Sequence, residues 1–359
     1  VDAGGVHGRG HARIVRCAAA GVNSLDRGDA ERTFPPPEGW PEPSRGRIVV
    51  PPARRPGEPA DDEPIDHKPI DHKPIDHKPI DHKEPTVEPT PTIPDLDPYR
   101  IARDTWLIPN LFPAGDLNVP VNSMVIRGSE PVIVDTGAPV HRERWLEQVF
   151  SVVEPADVRW VFLSHDDPDH TGGLLDVLEL CPDATLVTNF FSVERLALEK
   201  PALPLHRLRW LEPGDRLDVG DRTLELFRPP VFDGPTTRGL HDPSTGTMWV
   251  VDTFACLVPH WVDDLAALDP AFAEEQLLAM NSLVSPWHEW LDPVPYRRHV
   301  DAVESLGART VASAHGPVVT GEALGAAFDV VRSLAGRPAI PGPGQELLDE
   351  LLAGTLVPA

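Results

Sequence analysis

From about Asp97 onward, short apolar runs alternate with stretches in which apolar residues recur every three or four positions. The short runs, rich in β-branched residues and bounded by turn-forming ones, predict strands over 122–127, 131–135, 160–164, 184–188, 223–227, 247–251 and 310–314. The three-to-four spacing predicts helices over 142–153, 173–180, 192–198, 270–283, 296–306, 321–334 and 345–352. Strands bunched early, then helices, then strands again imply packed sheets flanked by helices.

Residues 1–95 show neither period. They hold 17 of the 43 prolines, and residues 64–83 are four tandem copies of Pro-Ile-Asp-His-Lys. Each copy has a proline that stops helix growth and too little apolar surface to offset the entropy of ordering the chain. The repeat histidines His67, His72, His77 and His82 have metal-binding chemistry, but a solvated linker accounts for the composition. The expected organisation is a disordered extension over 1–95 and one globular domain over 96–359.

The chain's net charge is −24. Residues 1–95 hold 13 Lys/Arg against 17 Asp/Glu, so −20 falls on residues 96–359. A nucleic-acid binder needs a basic stripe for phosphate contacts, and none is visible. No apolar run approaches the ~20 residues that span a bilayer, and no apolar signal core opens the chain. The three cysteines, Cys17, Cys181 and Cys256, have the spacing of neither a disulfide framework nor a zinc knuckle. A cytoplasmic protein with reduced thiols is the expectation.

One segment changes the picture. An apolar strand runs into Ser164-His165-Asp166-Asp167-Pro168-Asp169-His170, and Thr171-Gly172-Gly173 leads into an apolar-periodic helix. Five of the six residues from His165 to His170 are ionisable. A turn needs one or two Asx residues; a loop presenting alternate side chains to a common centre needs this whole set. His165 and Asp167 are placed to face one ion, and Asp169 and His170 its neighbour. Mixed nitrogen and oxygen donors suit first-row transition metals.

This His-x-Asp-x-Asp-His segment, after a strand and before a glycine-marked helix, resembles the metallo-β-lactamase signature. Pro131-Val132-Ile133-Val134-Asp135-Thr136-Gly137, Val250-Val251-Asp252-Thr253-Phe254 and Ala312-Ser313-Ala314-His315-Gly316-Pro317 resemble that superfamily's other landmarks. The resemblance covers about 104–317 and implies an α/β fold, an αββα sandwich with two metals at one edge of its sheets. Asp167 stands where hydrolytic members carry histidine. The flavodiiron and oxygen-binding diiron branch has a carboxylate there, normally Glu. Counting back from Asp252, Asp233 falls where that branch has a further histidine, with His241 as the other candidate. The resemblance then implies His165, Asp167 and Asp233 on a first metal, Asp169, His170 and His315 on a second, and Asp252 bridging them. Asp135 reads as a strand-end residue that orients ligands rather than one of them. Arg238 and His241 are candidates for binding substrate, and Arg238 equally for pairing with an acid. Trp287, His288 and Trp290 read as packing more readily than as a pocket wall.

Two functions follow as expectations. The carboxylate-rich set favours iron over zinc and a diiron protein that binds, reduces or senses O2. Flavodiiron enzymes carry a flavodoxin domain after the metal domain; the sequence ends at Ala359, so no flavin is expected in this chain and electrons would come from a separate partner protein. The alternative is a metal-dependent hydrolase that aims a metal-bridging hydroxide at a small ester, thioester or lactone. Either leaves a homodimer open, and neither involves nucleic acid or a membrane.

Overall fold

A computed structural model describes residues 96–352 of the chain. The tandem repeats, Cys17 and the expected extension lie outside the described residues. The strands are β1 (Tyr99–Ala102), β2 (Thr105–Ile108), β3 (Leu111–Ala114), β4 (Leu117–Pro120), β5 (Ser123–Ile126), β6 (Val132–Val134), β7 (Trp160–Phe162), β8 (Thr185–Thr188), β9 (Leu208–Trp210), β10 (Arg216–Asp218), β11 (Thr223–Phe227), β12 (Gly239–Asp242), β13 (Thr247–Trp249), β14 (Thr310–Ala312) and β15 (Val319–Thr320). The helices are α1 (Arg142–Val152), α2 (Pro168–Thr171), α3 (Leu174–Leu180), α4 (Phe190–Glu199), α5 (Pro270–Val284), α6 (Pro293–Glu304), α7 (Gly321–Arg332) and α8 (Gln345–Leu352).

A seven-stranded sheet runs in the order β1-β2-β5-β6-β7-β8-β9, and a six-stranded sheet in the order β10 to β15. β3 and β4 form a separate hairpin. The central strands read as continuous apolar runs because both faces are covered. Alternation along them sorts side chains between layers. Val132, Val134 and Phe162 face the second sheet and meet Leu224, Leu226, Leu240 and Trp249. Ile133, Val161 and Leu163 point the other way, into Trp145 and Val149 of α1 and Leu174 and Val177 of α3. On the far face of the second sheet, Met248, Val250 and Val311 pack with Leu277 of α5, Val300 of α6 and Phe328 of α7. The three apolar layers make an αββα sandwich.

β6, β7, β8 and β9 are mutually parallel, and β13 pairs in parallel with β14. The carboxyl ends of parallel strands are where open α/β sheets present functional loops. Here those ends carry Asp135 after β6, His165 after β7, Asp252 after β13 and His315 after β14. Asp135 and Val251 adopt positive φ, +58° and +59°. For β-branched Val251 that is a costly conformation, on the order of 1–3 kcal/mol. It persists where Val251 O accepts from Ala314 N (2.7 Å) and from Ser313 Oγ (3.0 Å).

Several strands were not expected from the pattern. β1, β2, β3 and β4 are four-residue edge or hairpin strands carrying Pro, Asn and Arg. β12 buries His241 and Asp242, polar residues that mimic a loop in sequence. Helix α6 starts at Pro293, three residues before the expected Tyr296, because Asp292 caps it through Val294 N.

Among the described residues no helix is long and apolar enough to cross a membrane. Cys181 and Cys256 are buried and unpaired, and burial pushes their thiols up to about 11 and about 12.

Candidate metal centre

The loop after β7 folds tightly because its backbone is tied on both sides. Ser164 O accepts from Arg238 N (2.8 Å), and Ser164 N donates to Asp135 Oδ1 (2.7 Å). Pro168 opens α2 with φ already helical, and one turn later His170 O accepts from Thr136 N (2.8 Å). Gly172 must be glycine: a Cβ there would lie 2.4 Å from Ala138 C and 2.5 Å from Pro139 N, both backbone atoms.

This geometry gathers His165, Asp167, Asp169, His170, Asp233, Asp252 and His315 around one centre. Three groups have donor atoms within 4.8 Å of one another: His165, Asp167 and Asp233; Asp169, His170 and His315; and His165, His170 and Asp252. Asp252 faces both halves. Its Oδ2 is 3.8 Å from His165 Nε2, and its Oδ1 is 3.5 Å from His170 Nε2 and 3.4 Å from His315 Nε2. His315 Nε2 lies 3.2 Å from Asp169 Oδ2, and His165 Nε2 lies 3.9 Å from Asp167 Oδ2. Two ligands bonded to one ion at about 2.0–2.2 Å sit roughly 3–3.5 Å apart, so these separations need at most small closure.

The imidazoles are aimed by their other nitrogens. His170 Nδ1 lies 2.9 Å from Asp135 Oδ2, an oxygen that also accepts from Ser164 Oγ (2.6 Å) and Trp249 Nε1 (3.1 Å). His315 Nδ1 donates to Pro120 O (2.9 Å). Both bonds leave Nε2 as the free donor facing the centre, the arrangement that fixes tautomer and orientation in metal sites. His170 Nε2 and Asp252 Oδ1 are buried without a hydrogen-bond partner. Buried polar atoms are seldom left so, and a cation between them would satisfy both. The donor chemistry and these two orphaned atoms fit a pair of metal ions.

The electrostatics agree. Burial disfavours charge on His170, yet Asp135 and Asp169 outweigh it and hold its pKa well above the usual imidazole value. Burial acts the same way on His315, but the nearby Asp169 and Asp252 carboxylates push it up to about 10. Asp252 is held well below the usual carboxylate range, because nearby His165 and its other imidazole neighbours overcome its burial. Asp167 goes the other way, pushed up to about 6 chiefly by burial. The cluster is a buried anionic bowl that attracts positive charge.

The remaining candidates sit apart. Arg238 is buried and its guanidinium pairs with Glu212, while its Nη1 donates to Pro235 O (2.7 Å). His241 lies on β12 opposite Glu225, with Nδ1 3.7 Å from that carboxylate, outside the three groups. His288 is buried between Ser282 Oγ (2.8 Å) and Leu334 O (3.0 Å). Trp287 packs near Phe232, and Trp290 is 82% exposed. Sequence reasoning had no access to Trp249, Ser164, Pro120 O or the Asp166–Arg195 pair, whose Nε–Oδ2 distance is 2.7 Å. Apart from the charge of Asp166 inside the motif, these residues carry no local signal.

A sandwich of this layering with this cluster at the strand ends has the metallo-β-lactamase fold, and residues 117–234 match the metallo-beta-lactamase superfamily model. Its homologues are named as flavodiiron proteins and diflavin flavoproteins. A flavo-diiron protein of Clostridium acetobutylicum is 23% identical over 217 residues, covering 57% of this chain and 51% of that protein. A diflavin flavoprotein of Synechocystis is 27% identical over 206 residues, covering 55% of this chain and 34% of that protein. The flavodiiron protein from Giardia intestinalis superposes with a TM-score of 0.60 at 16% identity, covering 67% of this chain and 59% of that one. The flavodiiron core of a Synechocystis protein gives 0.57 at 17%, covering 67% and 61%. At these identities the structural likeness establishes the fold. The chain spans about a third to a half of the length of the curated relatives it matches.

Proposed function

We propose that the domain holds two iron ions and serves to bind and reduce O2, with electrons delivered by a separate donor protein. The observation that supports this most is the donor set: four carboxylates and three imidazoles around one buried centre, with Asp252 facing both halves. His165, Asp167 and Asp233 would hold the first ion, Asp169, His170 and His315 the second, and Asp252 both. Iron in such a carboxylate–imidazole site supplies the electron-transfer and O2-binding chemistry.

The protein's own part is positioning and charge. Asp135 holds the His170 ring, and Pro120 O the His315 ring, so that neither imidazole turns when an ion enters. Each of these rings must shed its Nε2 proton to bind metal. Asp167, pushed up to about 6 chiefly by burial, is raised further by the neighbouring Asp233 carboxylate. That carboxylate pair can therefore keep a proton in weakly acidic solution and release it to a metal.

The test is elemental analysis of protein made in iron-replete medium, followed by O2 uptake with a chemical reductant. Two irons per chain, a ferric absorption band and reductant-dependent O2 consumption are expected. Two zincs, no such band and no uptake would overturn the reading and put the metal-dependent hydrolase in its place.

A further inference from the structure

The two halves of the centre are braced by different parts of the fold. The second half leans on the sheets: Asp135, which also accepts from Trp249, reaches His170, and Pro120 O reaches His315. The first half leans on α4. Asp166, between the two first-metal residues His165 and Asp167, points away from the centre, and its carboxylate is 2% exposed. It accepts from Arg195 Nε (2.7 Å) and from Ser192 Oγ (3.4 Å), both on α4. Arg195 also brings a second guanidinium nitrogen to 3.7 Å from Asp167 Oδ1. At the helix start, the cap residue Asn189 accepts from Ser192 N (3.1 Å) and donates through Nδ2 to Thr236 O (2.9 Å). The next residue, Thr237, donates through Oγ1 to Asp233 Oδ1 (3.1 Å). One helix thus touches both loops that supply the first half, and no hydrogen bond or ion pair from α4 to Asp169, His170 or His315 is seen among the described residues.

We propose that α4 is a clamp for the first metal position alone, with Arg195 and Asp166 as its positioning pair. This rests on the two-metal reading above. Arg195 is half-exposed, so its attraction to Asp166 is screened and modest in stability. Its effect is geometric: the planar fork fixes where the Asp166 carboxylate lies, and the backbone on either side then sets His165 and Asp167. The first position is the one that depends on α4, and it should fill and empty separately from the second.

The experiment uses the full chain with Mn2+ as the probe, read by equilibrium metal binding and by electron paramagnetic resonance. Arg195→Gln, Asp166→Asn and the double variant are compared with the unaltered protein; Asp166→Asn avoids leaving a buried charge unpaired. Positioning residues of this kind set metal affinity by about 10–100-fold. The expected result is a loss of that size at one position only, so that limiting Mn2+ gives the spectrum of an isolated ion instead of a coupled pair. Arg195→Lys, which keeps the charge without the fork, should fall between. Asp135→Asn should weaken the other position. Thermal unfolding of metal-free Asp166→Asn and of the double variant, neither of which leaves a buried charge unpaired, should stay close to the parent, which separates positioning from a general structural role. Two ions held with unaltered affinity, or equal loss of both, overturns the proposal. An unaltered protein that binds no pair of ions overturns the two-metal reading itself, and that failure shows before any variant is made.

Discussion

At the residue scale, Asp252 and Asp135 make a sharp contrast. Both are buried carboxylates at strand ends. Asp252 directs one oxygen toward His165 and the other toward His170 and His315. Asp135 has both oxygens engaged, by Ser164 N on one and by Ser164 Oγ, Trp249 and His170 on the other. Asp252→Ala is expected to abolish binding of both ions. Asp135→Asn keeps the shape and should lower affinity by about 10–100-fold. Elemental analysis after dialysis separates the two, and equal, complete loss in both variants would contradict this division. A pH dependence follows from the same groups. His170 and His315 are protonated in the metal-free protein at neutral pH, since His170 is held well above the usual value and His315 at about 10. Metal must displace those protons, so apparent affinity rises with pH across the neutral range. Below about pH 6 Asp167 adds a proton of its own, and the dependence steepens. Proton release measured during titration with Mn2+ checks the sign; uptake of protons, or none, would refute it.

At the element scale, Gly172 shows why the metal loop and the first helices form one unit. The α2–α3 junction presses on the backbone of 137–139, and no side chain fits between. Gly172→Ala would push α2 off that turn and carry His170 with it. A destabilisation of about 1–3 kcal/mol is expected, the usual range for overpacking, together with reduced occupancy of the second metal position; denaturant unfolding and metal analysis would measure both. The same scale shows what the sequence could reveal. β6, β7 and β13 were legible because strands covered on both faces read as largely apolar runs, β11 because Leu224 and Leu226 alternate with polar Thr223 and Glu225, and α1, α5 and α7 because an apolar stripe recurs along each. β9, β10 and β15, two or three residues long, give no period to detect. The metal loop was legible because its donors are adjacent in sequence. Its supports were not: Trp249 is 114 residues from Asp135, and Pro120 is 195 from His315. Such contacts are written in topology, not in any local pattern.

At the scale of the whole molecule, the three apolar layers close among residues 96–352, drawing on both sheets and every helix except α2 and α8. We expect residues 96–359, produced alone, to fold and to retain the metal content of the full chain. Insoluble protein or lost metal in that fragment would show that residues 1–95 contribute to the fold.

The choice of metal is also a property of the whole site, since no one ligand decides it. Four of the seven gathered side chains are carboxylates, and two of these, Asp167 and Asp233, fall in the same half. Zinc sites favour three or four nitrogen or sulfur donors, whereas mixed carboxylate and imidazole is the environment of non-haem iron and manganese. The first half, with one imidazole and two or three carboxylates, should therefore discriminate most strongly. Asp167→His would replace a hard anionic oxygen with a neutral nitrogen and would also remove a carboxylate facing Arg195. We expect the variant to shift toward zinc when purified from medium containing both metals, chiefly at the first position. Any hydrolytic side activity toward a small ester should rise with it. Competition binding of Fe2+ and Zn2+ to the parent and the variant measures the shift directly. If both proteins show the same preference, the carboxylate at 167 does not set the metal, and the iron assignment loses the feature of the sequence that first suggested it.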